Sequence, residues 1–153
     1  MDRSSWLREN AYGRILEVGC GQGDLFATHP SAMGYDDEDR TINYGLGFTR
    51  GALTKLPFKD KEFSCAVVGD SLERKENPNL ILAEAGRVAT TVLFAVSNEW
   101  AWDEKLVPFA DKTKKHFDHD ELCELLEKAG MKYRIELLNY DGWSFFVGYA
   151  RRS

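Results

Sequence analysis

Three glycines at alternate positions, Gly19, Gly21 and Gly23, stand between two carboxylates, Glu17 and Asp24. A further carboxylate, Asp36, ends the next apolar run. Glycines at this spacing let a backbone take left-handed dihedrals and lie flat against a ligand. An acidic residue at the tip of the following strand is the group that accepts the hydroxyls of a ribose. Together they describe a nucleoside pocket. The elements that must position it are legible on either side. Ile15, Leu16 and Val18 make a short apolar strand that runs into the loop, and Met33-Gly34-Tyr35 makes a second that delivers Asp36.

Charge decides which nucleoside. The pyrophosphate of a dinucleotide favours G-x-G-x-x-G and a helix N-terminus aimed at negative charge. Here the spacing is G-x-G-x-G, with Glu17 before it and Asp24 directly after. Two flanking carboxylates repel a pyrophosphate and attract a cation. S-adenosylmethionine meets each requirement: a ribose for Asp36, a sulfonium and an α-amino group near Glu17, and a carboxylate for the backbone donors of the loop.

The rest of the composition narrows the class. A chain of 153 residues is read as one domain over 1–153, with the 43% hydrophobic and 29% charged content of an ordinary soluble protein. A net charge of −5 supplies no basic footprint for nucleic acid, and the clusters Lys112, Lys114, Lys115 and Arg151-Arg152 read as solvated faces. Cys20, Cys65 and Cys123 are distant and odd in number, which gives neither a zinc spacing nor a disulfide framework and fits a reducing cytoplasm. No metal site is expected. No apolar run approaches the roughly 20 residues of a membrane span, and Met1 to Asn10 has no signal-peptide core.

Short apolar runs alternate with amphipathic segments, the pattern of strand–helix–strand units. Strands are predicted at 14–18, 32–35, 46–49, 63–68 and 91–96, the fourth apolar enough to be central. A short helix is expected from Asp24 until Pro30, a helical turn over 37–44, and a longer helix opened by Asn77 as cap and Pro78 at its first position. Leu56-Pro57-Phe58 makes a rigid corner, because proline fixes its own dihedral and restricts the residue before it. A last helix begins near Phe117-Asp118-His119, repeats Leu122, Leu125, Leu126 and Ala129 at helical spacing, and stops at Gly130. Strands at 135–138 and 145–149 are joined through Asp141-Gly142, a strong hairpin turn. The expected fold is α/β, a mostly parallel sheet of about seven strands ending in an antiparallel hairpin.

Motifs recur along this frame. Glu17, Gly19, Gly21 and Gly23 meet acidic-x-G-x-G-x-G, and Asp36 the acidic end of strand two. Leu56, Pro57, Phe58, Asp60 and Phe63 meet L-P-F-x-D-x-x-F-D, with Ser64 for the usual aspartate. Leu72, Glu73, Asn77 and Pro78 meet L-E-H-x-x-N-P, and Glu84, Arg87 and Val88 meet E-x-x-R-V. Phe117, Leu122, Leu126, Ala129 and Gly130 match the late helix. In this order and spacing the chain resembles the class I, Rossmann-like S-adenosylmethionine-dependent methyltransferases, most of all the small-molecule, type 11 branch with the ubiquinone-biosynthesis enzymes. The resemblance implies S-adenosylmethionine as cofactor and S-adenosylhomocysteine as product. Its cofactor site would comprise Glu17, Gly19, Cys20, Gly21, Gly23, Asp36, Asp37, Ala52, Leu53 and Asp70.

Departures from the family are specific. Ala52 stands where an acidic residue usually accepts the adenine amino group, a loss of about 0.5–1.5 kcal/mol if nothing compensates. Arg74 replaces the histidine of L-E-H. The helix-rich N-terminal cap is largely absent, since Met1 to Tyr12 can make one short helix at most. Val88-Ala89-Thr90-Thr91 leaves no room for the customary L-K-P-G-G turn.

Other residues carry two readings each. Cys20 reads as a small filler of the loop rather than a nucleophile. Asp70 either meets the methionine moiety or substrate, or caps the next helix. Trp100 and Trp102 either stack on a flat acceptor or cover the core edge; His116 and His119 are surface or capping residues before they are bases. No catalytic side chain is identified, and none is required for methyl transfer from a sulfonium if the acceptor is held in line. The expected protein is a cytoplasmic methyltransferase with a small-molecule acceptor. The alternatives are a methyltransferase-like binding subunit, or an enzyme of protein acceptors, with a lid supplied by a second copy or a partner subunit.

Overall fold

Phe63–Val68, six residues buried on both sides except Ser64, lies at the centre of a seven-stranded sheet. The structure is a computed structural model and describes residues 1–21, 23, 25, 28–40, 47–69, 71–98, 115 and 117–153. Strands are β1 (Ile15–Val18), β2 (Met33–Asp36), β3 (Phe48–Arg50), β4 (Phe63–Val68), β5 (Ala89–Ser97), β6 (Met131–Tyr140) and β7 (Trp143–Arg152). Helices among the described residues are α1 (Arg3–Asn10), α2 (Ser71–Arg74), α3 (Pro78–Val88) and α4 (His119–Lys128). The spatial order is β3-β2-β1-β4-β5-β7-β6. Neighbours are parallel except where β7 runs antiparallel to β5 and β6.

This order places the site. From β1 the chain moves outward to β2 and β3, then returns to lay β4 on the other flank of β1. Such a reversal opens a crevice beyond the carboxyl ends of the two diverging strands, here Val18 and Val68. Alternating side chains give each central strand two apolar faces. On one face Leu16, Val18, Ala66, Val68, Phe94 and Val96 pack against Ile81, Leu82 and Ala85 of α3 and Leu122 and Leu126 of α4. On the other, Ile15, Cys65, Val67, Leu93 and Val147 meet Trp6 and Leu7 of α1.

Local signals explain most boundaries. Asp118 caps α4 in a capping box, accepting from Glu121 N at 2.8 Å while Glu121 reaches back to its backbone. Asp141 and Gly142 both take positive φ (51° and 82°), as a two-residue hairpin requires. The hairpin strands are ten residues each, longer than expected. Asn77 departs from expectation. It precedes α3, but its backbone is left-handed (φ 55°, ψ 51°), and its side chain makes no capping bond, since a capping side chain needs the extended conformation to reach the helix amides. At the other end α3 passes from Val88 into β5 at Ala89 with no loop between, as the shortened segment implied. The expected helix after Asp24 and turn over 37–44 fall largely outside the described residues.

Two of the motifs prove to be halves of one clasp. The Arg87 guanidinium donates to the carbonyls of Leu56 and Phe58 and to Asp60 Oδ1, each at 2.9 Å, and forks onto Glu84 at 2.8 and 3.0 Å. Glu84 in turn accepts Leu56 N at 2.9 Å. The fork of Arg87 and the Leu56 amide hold the Glu84 carboxyl below its usual range against the opposing cost of burial. The Leu-Pro-Phe corner is thereby fixed to α3.

Candidate functional site

All three loop glycines adopt the conformation their spacing predicts, with φ of 72° at Gly19, 53° at Gly21 and 82° at Gly23. At Gly19 a side chain is excluded twice over, because a Cβ would also lie 2.8 Å from Ser71 Cβ. At Gly21 nothing lies within 4 Å of that position, so the dihedral alone selects glycine.

Among the described residues, four amides of the loop have acceptors within the chain. Gly19 N and Cys20 N both donate to Tyr35 O, at 2.8 and 3.1 Å, and Gly23 N donates to Cys20 O at 3.0 Å. Gly21 N donates to Asp36 Oδ2 at 2.9 Å. The sharp turn is held by its own backbone and by the strand beside it.

Asp36 is 4% exposed at the end of β2, where its Oδ1 also accepts Glu38 N at 3.2 Å. Arg40 Nε lies 3.6 Å from Oδ2. Burial alone raises its pKa, but the amides of Gly21 and Glu38, a side-chain hydrogen bond with Asp37 and the Arg40 charge outweigh it and leave the carboxyl lowered. Asp36 is therefore a fixed anion with acceptor lone pairs still to offer. Asp37 pairs with Lys75 Nζ at 3.1 Å, and its carbonyl accepts Arg50 Nε at 3.0 Å.

Cys20 is buried, and its thiol is pushed up to about 12 by desolvation and by the Glu17 and Asp36 charges. It stays protonated at neutral pH and fills space, as expected of a loop residue flanked by anions. Leu53 is buried beside Gly19, and Ala52 is exposed with its carbonyl accepting the Tyr35 hydroxyl at 2.8 Å. Asp70, Trp100, Trp102 and His116 lie outside the described residues. His119 opens α4, its ring in edge contact with Phe146 (centroids 5.8 Å).

Between the loop and α1 lies a cavity of about 360 Å³, within the roughly 300–1,000 Å³ of small-ligand pockets. It is lined by Glu17, Val18, Gly19, Cys20 and Gly21 from β1 and the loop, and by Arg3, Ser4, Leu7 and Arg8 from α1. Gly69, past the end of β4, also lines it, as the switch point requires. These helix residues were missed from the sequence; their only signal is spacing, with Arg3 and Leu7, and Ser4 and Arg8, four apart. Sequence spacing alone does not say which pocket a short helix covers.

The helix is tied down at both ends. Arg3 forms an ion pair with the fully buried carboxylate of Glu73, the acidic residue of the L-E-H motif, which also accepts Ser97 N at 3.3 Å. At the other end Trp6 meets Tyr149 edge-on (centroids 5.4 Å), and the Tyr149 hydroxyl bonds to Asn10. Arg8 thus brings a positive charge to a cavity that Glu17 also lines. Among the described residues no cluster of His, Cys, Asp and Glu could hold a metal ion.

Comparison with known proteins agrees with this architecture. The model of the family described as "Methionine biosynthesis protein MetW" matches residues 5–114. No curated protein matches the chain. Among solved structures, a SAM-dependent methyltransferase from Thermotoga maritima is 19% identical, with a TM-score of 0.74 over 98% of this chain and 87% of that one. The magnesium protoporphyrin IX methyltransferase of Synechocystis PCC 6803 with bound SAM is 16% identical (TM-score 0.65, 98% and 76% covered). A structure of the Haloferax volcanii Trm112 methyltransferase activator in complex with a methyltransferase is 15% identical (TM-score 0.67, 97% and 88% covered). The fold is that of the class I, Rossmann-like methyltransferases, with the mostly parallel sheet and antiparallel hairpin expected from the sequence.

Proposed function

We propose that this chain, which belongs to the MetW family of methionine biosynthesis proteins, binds S-adenosylmethionine and transfers its methyl group to a small acceptor. One observation carries the reading: a single cavity beside the glycine turn is lined by both Glu17 and Arg8, a charge pair that fits the zwitterionic end of an amino acid. Asp36, fixed by Gly21 N and Glu38 N, accepts the ribose hydroxyls. Leu53 supplies an apolar contact for the adenine, and the Ala52 carbonyl, with one lone pair taken by Tyr35, keeps another for the adenine amino group. That lone pair offsets the missing acidic side chain.

Bound cofactor supplies an electrophilic methyl group on a sulfonium. The chain's own part is to hold and orient. Glu17 faces the ammonium, Arg8 and Ser4 the carboxylate, and α1 walls off water. In-line positioning contributes several kcal/mol without a nucleophilic side chain. Among the solved neighbours, the Synechocystis enzyme carries bound SAM, which supports the same cofactor here.

Titration calorimetry with S-adenosylmethionine and S-adenosylhomocysteine tests the proposal. Micromolar binding lost in Asp36→Ala supports it; no heat at about millimolar ligand overturns it. A second reading is a partner-dependent subunit. The Haloferax complex with a methyltransferase activator favours it, and turnover appearing only when a partner protein is added would select it.

A further inference from the structure

The two edges of the sheet differ sharply. One is β3, three residues long. The other is β6, ten residues in unbroken register with β7 from Met131–Arg152 to Tyr140–Trp143, without glycine, proline or bulge. Among the described residues nothing pairs with its outer side. An edge of that length presents a row of backbone donors and acceptors, and proteins ordinarily shorten, bend or cover it.

The side chains of β6 are complementary to those of a second copy. Lys132, Arg134 and Glu136 share the face on which α1 packs, with Leu138. Tyr133, Ile135 and Leu137 share the α4 face. We propose that β6 pairs antiparallel with β6 of a second copy about a twofold axis at Ile135, joining two sheets into one. In that register each Arg134 faces the partner's Glu136, and each Tyr133 faces the partner's Leu137. Moving the axis to Glu136 opposes the two Glu136 side chains, and moving it to Arg134 opposes the two Arg134 side chains even as each Lys132 comes to face a Glu136; the axis at Ile135 opposes unlike charges with no like pair. Charge therefore selects one register.

Two further observations agree. Leu137, 49% exposed in the single chain, gains an apolar neighbour. Arg134 and Glu136 sit 4.0 Å apart on one chain with side chains 79% and 42% exposed, a weak pair that loses little by re-forming across the axis. The surface is separate from the glycine-loop cavity, so the proposal stands or falls independently of cofactor binding.

Sedimentation velocity on the full chain from about 1 to 200 µM tests it, with a dimer expected in the upper part of that range. R134E and E136R each raise the dimer Kd at least about tenfold, and the double swap R134E/E136R returns it to within about threefold of the original. Thermal unfolding at dilutions where every variant is monomeric confirms that all are folded. A monomer throughout, a Kd unmoved by the single reversals, or a double swap that does not recover overturns the proposal.

Discussion

Two carboxylates in this molecule are held in nearly the same way and serve opposite ends. Glu84 accepts a backbone amide and an arginine fork; Asp36 accepts two backbone amides with an arginine close by. Both have lowered pKa values. The difference is closure. Arg87 spends its donors on Glu84, Asp60 and two carbonyls, so the clasp is complete without any ligand. Asp36 sits at the end of a strand beside a loop whose described amides are bonded within the chain, with lone pairs left over. A motif reads as structural when its hydrogen bonds close on themselves, and as a binding site when they stop one partner short.

The sharpest break of the comparison is Arg87→Ala. Unfolding in urea should show a loss of about 3 kcal/mol, because Glu84 and two carbonyls lose charged donors, while the S-adenosylmethionine Kd of the folded fraction stays within about twofold. Asp36→Ala should do the reverse: calorimetry should show affinity falling about a hundredfold, near 2.7 kcal/mol, with a stability change of about 1 kcal/mol. Equal effects of both variants on binding would erase the distinction. Next come the glycines. Gly19→Ala meets both a positive φ and Ser71 and should cost about 2–3 kcal/mol in thermal or urea unfolding, against about 1 kcal/mol for Gly21→Ala, where only the dihedral resists.

The smallest effect is that of pH. Both carboxyls have folded pKa values below their unfolded ones. Their stabilisation is complete above the unfolded values, near pH 4, and is lost as pH falls through the folded ones. Urea midpoints should be flat above about pH 5 and decline below pH 4. In Arg87→Ala the decline should be shallower, since Glu84 no longer has its fork.

Much of this was legible in the chain. Gly19, Gly21 and Gly23 announced positive φ, Gly130 the end of the last helix, and Asp141-Gly142 a tight hairpin, because each is a local rule about backbone conformation. Phe63 to Val68 was readable because both its faces are buried. The start of β6 was not: Lys132 and Arg134 lie on a half-solvated edge, where charge is tolerated and the apolar signal thins. Arg3 and Arg8 were invisible as site residues, since what brings α1 over the cavity is Glu73, seventy positions away in sequence. The acceptor of the Gly19 and Cys20 amides was hidden for a similar reason, since Tyr35 O belongs to another strand.

The seamless passage from Val88 to Ala89 has a consequence for how the molecule breathes. A loop lets neighbouring elements open separately; a helix that becomes a strand within one peptide bond does not. Amides from Leu82 to Val96 should exchange with deuterium as one cooperative unit, with a common opening free energy near that of global unfolding. α1, by contrast, rests on a handful of side-chain anchors and should open at lower cost. The wall of the cavity nearest solvent would then be its most easily lifted part, and the protein would admit a ligand without disturbing the sheet.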